Sequence, residues 1–304
     1  MGNPDIAPGS SKGAPSVAIV VPARNESARI GACLASIRAA AIEAARNFEV
    51  VVVDDDSSDQ TGVLAQEQGA RVVTQRPPPR GPLAAWAKGV EVTSAPLIVF
   101  VDADCVVAMS ALRALLSPFA DERVGVVAAR PVPGPAKEHP GLVERSAHFS
   151  AIVLHEVKRR LVDHDFLPVG RLMAVRRSAW GVTDVELGAC DRVVAHAAKV
   201  KGWRIVYRPD AVVRYQPPLA FPELEADFRR TRAPLGFDAD PLPKSVTLEA
   251  MVAALVASPI DGVSWLLCQL RLSRSARGSH GQLQAPASWD AVRRPSGGDE
   301  GRST

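Results

Sequence analysis

Short apolar runs, separated by polar segments, dominate the first hundred residues of the chain. Runs of four or five apolar residues, rich in β-branched side chains, predict strands that are buried on both faces, as in a parallel sheet. Helices are predicted over residues 30–37, where apolar side chains recur at i, i+3, i+4 and i+7, and over residues 83–92. The predicted strands are residues 17–21, 50–53, 71–74 and 97–101.

The same alternation continues more loosely after residue 104, with helices predicted over 111–119 and 191–201. Strand, helix, strand at this spacing indicates βαβ units. We therefore expect an α/β fold in which helices flank a mostly parallel central sheet. The further predicted strands are residues 124–128, 172–175, 205–207 and 211–213.

Residues 245–272 carry an apolar helical stripe that Glu249, Pro259 and Asp261 interrupt. A spanning helix needs about 20 predominantly apolar residues, so a transmembrane helix is not expected. Two explanations have equal weight. The segment forms an interfacial hairpin that contacts a membrane through residues 245–277, or it forms an ordinary helix pair packed on the domain.

The composition divides the chain into one large domain and less regular ends. With 304 residues and 47% hydrophobic content, the chain can bury a sizeable core. Both ends are rich in Gly, Ser and Pro, which favours disorder. The expected parts are a disordered N-terminus (1–16), a domain (17–232) with halves 17–105 and 106–232, a helical C-terminal appendage (233–272) and a disordered tail (273–304).

Charge and cysteine content exclude several classes of protein. The formal net charge of +3 is too small to indicate nucleic-acid binding. The four cysteines are scattered without a C-x-x-C pair, which indicates neither a zinc knuckle nor a disulfide framework and favours a reducing compartment. Residues 1–16 lack the apolar region of a secretory signal. We expect a cytoplasmic protein, at the cytoplasmic face of the membrane if residues 245–277 form the interfacial hairpin.

Two clusters of acidic residues follow predicted strands. Asp102 and Asp104 come directly after residues 97–101, and side chains at i and i+2 of an extended segment share a face. Ligands of open α/β sheets bind beyond the carboxyl ends of the strands, and paired carboxylates suit a hard divalent cation. Residues 54–56 are three adjacent aspartates after the strand at 50–53. Their mutual repulsion would be relieved by a ligand or by a helix N-terminus.

Five segments, in order, resemble the signatures of family 2 glycosyltransferases. Those enzymes have the GT-A fold, use nucleotide sugars and invert the anomeric carbon. The resemblance covers residues 16–215. It is carried by VAIVVPARNE (17–26), VVVDDDSSDQT (51–61), IVFVDAD (98–104), GRLMAVRR (170–177) and Cys190-Asp191 with the strand after it, KGWRIVYRPD (201–210).

The resemblance implies a role for individual residues. Asp102 and Asp104 would hold Mg²⁺ or Mn²⁺ against the donor diphosphate, and Asp191 would be the general base that takes the proton of the acceptor hydroxyl. Asp54 and Asp55 would face the base and ribose. The donor-binding residues implied are Pro22, Ala23, Asn25, Glu26, Asp54, Asp55, Arg80, Asp102 and Ala103.

The chain departs from the family pattern at three positions. Asp56 stands where the family usually has Gly or Asn, Cys190 stands where the base motif usually has Glu, and Ala87 stands where an Asn is usual. The Q-x-x-R-W motif of processive synthases is absent from the sequence. The resemblance therefore implies transfer of a single sugar, with a UDP-sugar favoured over a GDP-sugar. The apolar stretch at 245–272, and not the resemblance, favours a lipid or membrane-proximal glycan as acceptor.

Two other functions compete with this one. A sugar-nucleotide pyrophosphorylase shares the general sheet. Such an enzyme would be expected to have a Gly-rich, basic phosphate loop after the first strand, where this chain has Pro22-Ala23-Arg24-Asn25. A catalytically degenerate nucleotide-binding or scaffold protein is favoured by Cys190 and Ala87. It is disfavoured by the retained acidic residues.

Overall fold

The computed structural model describes residues 14–134 except 76 and 79, residues 170–182 and residues 190–215. Several predictions lie outside the described residues. They are the disorder of residues 1–13 within the predicted disordered N-terminus (1–16), the upper boundary of the domain at 232, and the appendage and tail at 233–304. The predicted membrane contact through residues 245–277 also lies outside them.

The described part alternates strands and helices. The strands are β1 (Val17–Ala23), β2 (Phe48–Asp54), β3 (Arg71–Thr74), β4 (Leu97–Val101), β5 (Cys105–Val107), β6 (Val124–Pro133), β7 (Leu172–Arg176) and β8 (Arg204–Tyr215). The α-helices are α1 (Ile30–Ala44), α2 (Thr61–Glu67), α3 (Pro82–Glu91), α4 (Ala111–Leu116) and α5 (Cys190–Val200). Short 3₁₀ turns follow α4 and β7, at Ser117–Ala120 and Arg177–Ala179.

The strands form one mixed sheet in the order β3-β2-β1-β4-β7-β6-β8-β5. The first four strands along the chain pair in parallel. Strand β7 lies antiparallel to both β4 and β6, and β5 lies antiparallel to β8. The donor half predicted from the sequence is therefore the parallel part, and the second half is mixed.

The strand order changes direction between β1 and β4. The chain passes from β1 outward to β2 and β3, then returns to place β4 on the other side of β1. The pairing of β1 with β4 ends at Val20 and Phe100, whereas β1 pairs with β2 as far as Ala23. Pro22, which has no N–H, lies in the stretch beyond the β4 pairing. The carboxyl ends of β1 and β4 thus border a topological switch point, where α/β sheets bind ligands.

Helices cover both faces of the sheet. Apolar side chains of α1, α2 and α4 pack with one face in one buried cluster. Those of α3 and α5 pack on the other face, where the Trp86 and Phe100 rings stack with their centroids 4.4 Å apart. All five residues of β4 are buried, as its uninterrupted apolar run predicts.

The sequence prediction differs from the structure at the last strand. Residues 205–207 and 211–213 were expected to be two strands, but Arg204–Tyr215 is one strand. Its register against β6 jumps, because Arg208 pairs with Ala129 and Val212 with the next residue, Arg130. The irregularity contains Pro209, which cannot donate to a strand ladder, and this break produced the appearance of two strands. Within the described residues, no helix is both long enough and apolar enough to cross a membrane.

Candidate active site

The loops after β1 and β2 are hydrogen-bonded to each other. The main-chain N–H of Asn25 donates to Ser57 Oγ at 3.0 Å, and the side-chain Oδ1 of Asn25 accepts the main-chain N–H of Ser58 at 2.9 Å. Asn25 has a left-handed φ of 55°, a conformation that Asn tolerates better than most residues. Asn25 therefore joins the two loops at the edge of the switch point.

A second set of hydrogen bonds, centred on Asp59, reinforces this junction. Its carboxylate accepts the N–H of Ser27 at 3.1 Å and the N–H of Thr61 at 3.0 Å, and it also accepts the Thr61 hydroxyl. The Thr61 hydroxyl in turn accepts the N–H of Glu26 at 2.8 Å. The hydrogen bonds from Thr61 hold the pKa of Asp59 well below its usual range.

Asp54 and Asp55 are buried, with exposed fractions of 8% and 4%. Asp54 Oδ1 accepts the N–H of Ser57 at 3.1 Å. The two Asp55 oxygens accept the N–H groups of Arg80 at 2.9 Å and Gly81 at 2.8 Å, directly before α3. The pair thus builds the β2 loop and anchors the start of α3. Contact with the base and ribose stays a prediction.

Asp56 has a φ of 59°, in the left-handed region. Residues with a Cβ are strained there, and Gly and Asn are the residues that enter it most readily. Asp56 therefore has a backbone conformation that Gly or Asn, the usual residues of the resembled family, would adopt with less strain.

Asp102 and Asp104 lie beyond β4 beside the guanidinium of Arg171. Arg171 Nη1 lies 3.0 and 2.7 Å from the two Asp104 oxygens and 3.9 Å from Asp102 Oδ2. The main-chain carbonyl of Arg171 also accepts the Asp102 N–H at 3.1 Å. The Arg171 guanidinium lies over the Tyr215 ring, 4.1 Å from its centroid. A cation thus lies against both acids that were predicted to bind a metal.

The surroundings of Asp102 disfavour its ionised form. Burial raises the pKa of Asp102 to about 7; Arg171 opposes this, and the carboxylates of Asp104, Asp191 and Glu26 add to it. Burial also raises the pKa of Glu26, with Asp104 contributing. Four carboxylates from β4, α5 and the β1 loop therefore interact electrostatically at one place. We call Glu26, Asp102, Asp104 and Asp191 the acid cluster.

Asp191 lies in the first turn of α5, as its place before the helical pattern predicted. A helix N-terminus favours an ionised carboxylate. The chain thus brings Asp191 within electrostatic reach of Asp102, although the two are far apart in the sequence. Its role as general base stays a prediction.

The acid cluster fits a hard divalent cation. One ligand atom from each of Asp102, Asp104 and Cys105 lies within 4.8 Å of the others. Carboxylate oxygens suit Mg²⁺ or Mn²⁺, whereas a thiolate would favour a softer metal. Burial and the two aspartates raise the pKa of the Cys105 thiol far above its usual range, so this thiol stays protonated. The fit therefore rests on the carboxylates.

The other predicted donor-binding residues line the same edge of the sheet. Ala23 is buried and its carbonyl accepts the N–H of Asp55 at 2.9 Å. Ala103 is buried between the two acids, and Pro22 is partly buried. The Arg80 side chain is exposed, and its main chain contacts Asp55. Donor binding by these residues stays a prediction.

Sequence analysis missed Arg171. It lies inside the segment that resembles the acceptor-side signature, but a single arginine between glycine and an apolar run gives no signal by itself. The antiparallel pairing of β7 with β4 is what places it beside Asp102. The position of Arg171 could have been predicted only if the direction of β7 had been known.

The chain was compared with known families and proteins. Residues 18–180, more than half of the chain, match the family model described as Glycosyl transferase family 2. An uncharacterized glycosyltransferase of Mycobacterium tuberculosis is 29% identical over 196 residues, which cover 62% of this chain and 82% of that protein. A PGL/p-HBAD biosynthesis glycosyltransferase of M. tuberculosis is 33% identical over 95 residues, covering 30% of this chain and 36% of that protein.

Two solved structures share the fold. Glucosyl-3-phosphoglycerate synthase from M. tuberculosis, in complex with Mn²⁺, UDP and phosphoglyceric acid, has a TM-score of 0.52 and 20% identity over 78% of each chain. A mannosyltransferase from Pyrobaculum calidifontis, in complex with GDP-Man and Mn²⁺, has a TM-score of 0.56 and 20% identity over 95% of this chain and 82% of its own.

Proposed function

The chain belongs to glycosyl transferase family 2, and from this premise we propose a specific reaction. The protein transfers a single sugar from a UDP-sugar to a hydroxyl acceptor, with inversion and with the help of a divalent metal ion. The observation that carries the proposal is the pair Asp102 and Asp104 at the switch point, because one carboxylate oxygen of each lies within 4.8 Å of the other, close enough to share one divalent cation.

Asp102 and Asp104 are the residues that would hold Mg²⁺ or Mn²⁺. When bound there, such an ion neutralises the charge that builds on the departing nucleoside diphosphate. The two solved structures described above contain Mn²⁺ with UDP or GDP-Man, which supports a nucleotide and a metal in this fold.

Asp191 is proposed to accept the proton of the acceptor hydroxyl. Its place in the first turn of α5 favours the ionised form that a base needs. Attack by the hydroxyl oxygen in line with the departing diphosphate then inverts the anomeric carbon. Asn25, Asp54 and Asp55 hold the loops that border the donor pocket, so their part is to shape it.

The acceptor is proposed to be a lipid or a membrane-proximal glycan. The support for it is the apolar segment at residues 245–272, which would bring the domain to a membrane surface if it forms the interfacial hairpin. The corresponding location is the cytoplasmic face of the membrane.

A nucleotide-binding protein without turnover is the second candidate. Arg171 favours it, because a guanidinium beside Asp102 and Asp104 supplies positive charge to a diphosphate without a metal. Nucleotide binding that needs no metal and leads to no sugar transfer would favour this candidate.

The proposal is tested by thermal unfolding of the purified protein with UDP, GDP or CMP, each with and without Mn²⁺. A ligand at 100 times its Kd adds about 2.7 kcal/mol to the free energy of unfolding. We expect UDP to raise the melting temperature only with Mn²⁺, and Asp104→Ala to abolish that increase. Asp210→Ala, which removes an exposed ion pair with Arg208, is the matched control. If no nucleotide with Mn²⁺ raises the melting temperature of the native protein, the proposed function is wrong.

A further inference from the structure

Arg171 is held beside the acid cluster by its main chain as well as by its side chain. It directly precedes β7, and its carbonyl accepts the N–H of Asp102, so the backbone fixes its distance from the end of β4. The Tyr215 ring, at the end of β8, lies under the guanidinium. The main chain of Arg171 is thus held at the ends of β4 and β7, while its side chain lies against the Tyr215 ring of β8 and reaches the acid cluster.

The Arg171 guanidinium contacts both carboxylate oxygens of Asp104, the atoms that would coordinate a metal ion. One nitrogen, Nη1, lies within 3.0 Å of both of them, and the same nitrogen is 3.9 Å from Asp102 Oδ2. The Arg171 and Asp104 side chains have exposed fractions of 23% and 18%, so solvent screens this pair only in part. A divalent cation that bound Asp102 and Asp104 would have to compete with Arg171 for Asp104 and would lie close to a like charge.

A bound diphosphate changes the competition between a divalent cation and Arg171 for the Asp104 carboxylate. Phosphate oxygens accept hydrogen bonds from guanidinium in the same forked geometry as carboxylates do. With a nucleotide present, Arg171 can turn from Asp104 to phosphate while the metal takes the carboxylate. The repulsion between the two cations is then offset by the negative charge of the diphosphate.

We infer that Arg171 is an internal counter-cation that makes metal binding depend on the nucleotide. In the nucleotide-free protein it neutralises part of the acid cluster and weakens the binding of a bare divalent cation. Metal and nucleotide then bind together. Arg171 is a positioning residue for the metal, and the inference rests on the proposed function.

The test is a titration of the protein with Mn²⁺ alone, followed by electron paramagnetic resonance of the free ion, and a second titration with UDP present. We expect Arg171→Gln to tighten the binding of bare Mn²⁺ by at least about tenfold, within the range of usual coupling energies. The gain in Mn²⁺ affinity that UDP produces should shrink by a similar factor. Arg204→Gln, which removes an exposed arginine paired with Asp121, is the matched control and should behave as the native protein.

A purely structural role for Arg171 predicts the opposite result, since a distorted site would bind Mn²⁺ less tightly. Arg171→Lys retains the charge and should retain the weak binding of bare Mn²⁺, and it covers the case in which Arg171→Gln does not fold. Unchanged or weaker binding of bare Mn²⁺ by Arg171→Gln, or tight binding by Arg171→Lys, would overturn the inference. Failure of Mn²⁺ and UDP together to bind the native protein is a different result and would overturn the proposed function itself.

Discussion

Two groups of aspartates follow neighbouring buried strands, and they have different kinds of partner. Asp54 and Asp55, after β2, accept main-chain N–H groups from Ser57, Arg80 and Gly81. Asp102 and Asp104, after β4, face the Arg171 guanidinium and other carboxylates. The first pair is satisfied by the fold, whereas the second is crowded with like charges.

This difference separates acids whose hydrogen-bond partners are main-chain groups from acids that face a guanidinium and other carboxylates, and we propose that the second pair binds a metal ion. Hydrogen bonds from main-chain N–H groups offset the desolvation cost of a buried carboxylate. Carboxylates that repel one another cost stability, and such groups concentrate at functional sites. On the sequence alone, the run of three aspartates at 54–56 looked as ligand-dependent as the Asp102 and Asp104 pair.

The largest effect is expected from Asp104→Asn, measured on sugar transfer. Loss of a metal ligand at the departing diphosphate should lower kcat/KM by about a thousandfold. Stability without ligand should change little, because relief of repulsion with Asp102 opposes loss of the Arg171 pair. If Asp104→Asn lowered the free energy of unfolding as severely as it lowered sugar transfer, Asp104 would have a structural role like that of Asp54 and Asp55. Asp210→Ala is the control, since its exposed carboxylate pairs only locally with Arg208.

The next effect is expected from Asp55→Ala, measured as the free energy of unfolding in denaturant. Two main-chain N–H groups before α3 would lose a charged acceptor, so we expect a loss of about 2–3 kcal/mol. The loss should be the same with and without Mn²⁺. A loss that appeared only in the presence of the metal would contradict the structural role of Asp55.

A smaller loss is expected from Gly62→Ala, which crowds the Asp54 carboxylate. A Cβ on Gly62 would lie 2.8 Å from Asp54 Oδ2, too close unless the carboxylate moves. We expect the free energy of unfolding to fall by about 1–2 kcal/mol. The matched control is Gly31→Ala in α1, where nothing lies within 4 Å of the new Cβ, and that variant should gain about 0.5–1 kcal/mol. Equal effects of the two substitutions would show that the Asp54 carboxylate is free to move.

The smallest effect is expected from Asp56→Gly, and it is a gain. Removing the Cβ at a φ of 59° relieves backbone strain, which should raise the free energy of unfolding by about 0.5–1 kcal/mol. Asp56→Ala, which keeps a Cβ but removes the charge, should show no such gain. If alanine stabilised as much as glycine, charge repulsion among the three acids would be the cause, and not the backbone.

The local pattern of the sequence was enough to predict the parallel half of the sheet. The apolar runs of β1, β2 and β4 need burial on both faces, and that requirement is local. The direction of β7 was not predictable, because a short run of buried apolar residues does not indicate whether its strand pairs in parallel or antiparallel. The position of Arg171 depended on that direction and was missed for this reason.

The position of Asp102 and Asp104 beyond a buried strand could be predicted from the sequence, whereas their partners needed the structure, and their binding role stays a prediction. Asp102 and Asp104 flank the switch point, as their position after a buried strand indicates. That Asp55 accepts hydrogen bonds from Arg80 and Gly81 depends on a loop after β3, which has no periodic pattern. The strain at Asp56 likewise depends on a backbone angle that its side chain does not reveal.

The reversed direction of β7 has a consequence for insertions and deletions. Strands β1 and β4 bring the residues that follow them to the switch point, whereas β7 brings the residue that precedes it. A change of length ahead of Gly170 leaves the pairing of Leu172 with Val101 intact, and so leaves Arg171 in place. A single deletion within Leu172–Arg176 would turn Arg171 to the opposite face of the sheet. The place of Arg171 beside Asp104 therefore depends on the length of this strand.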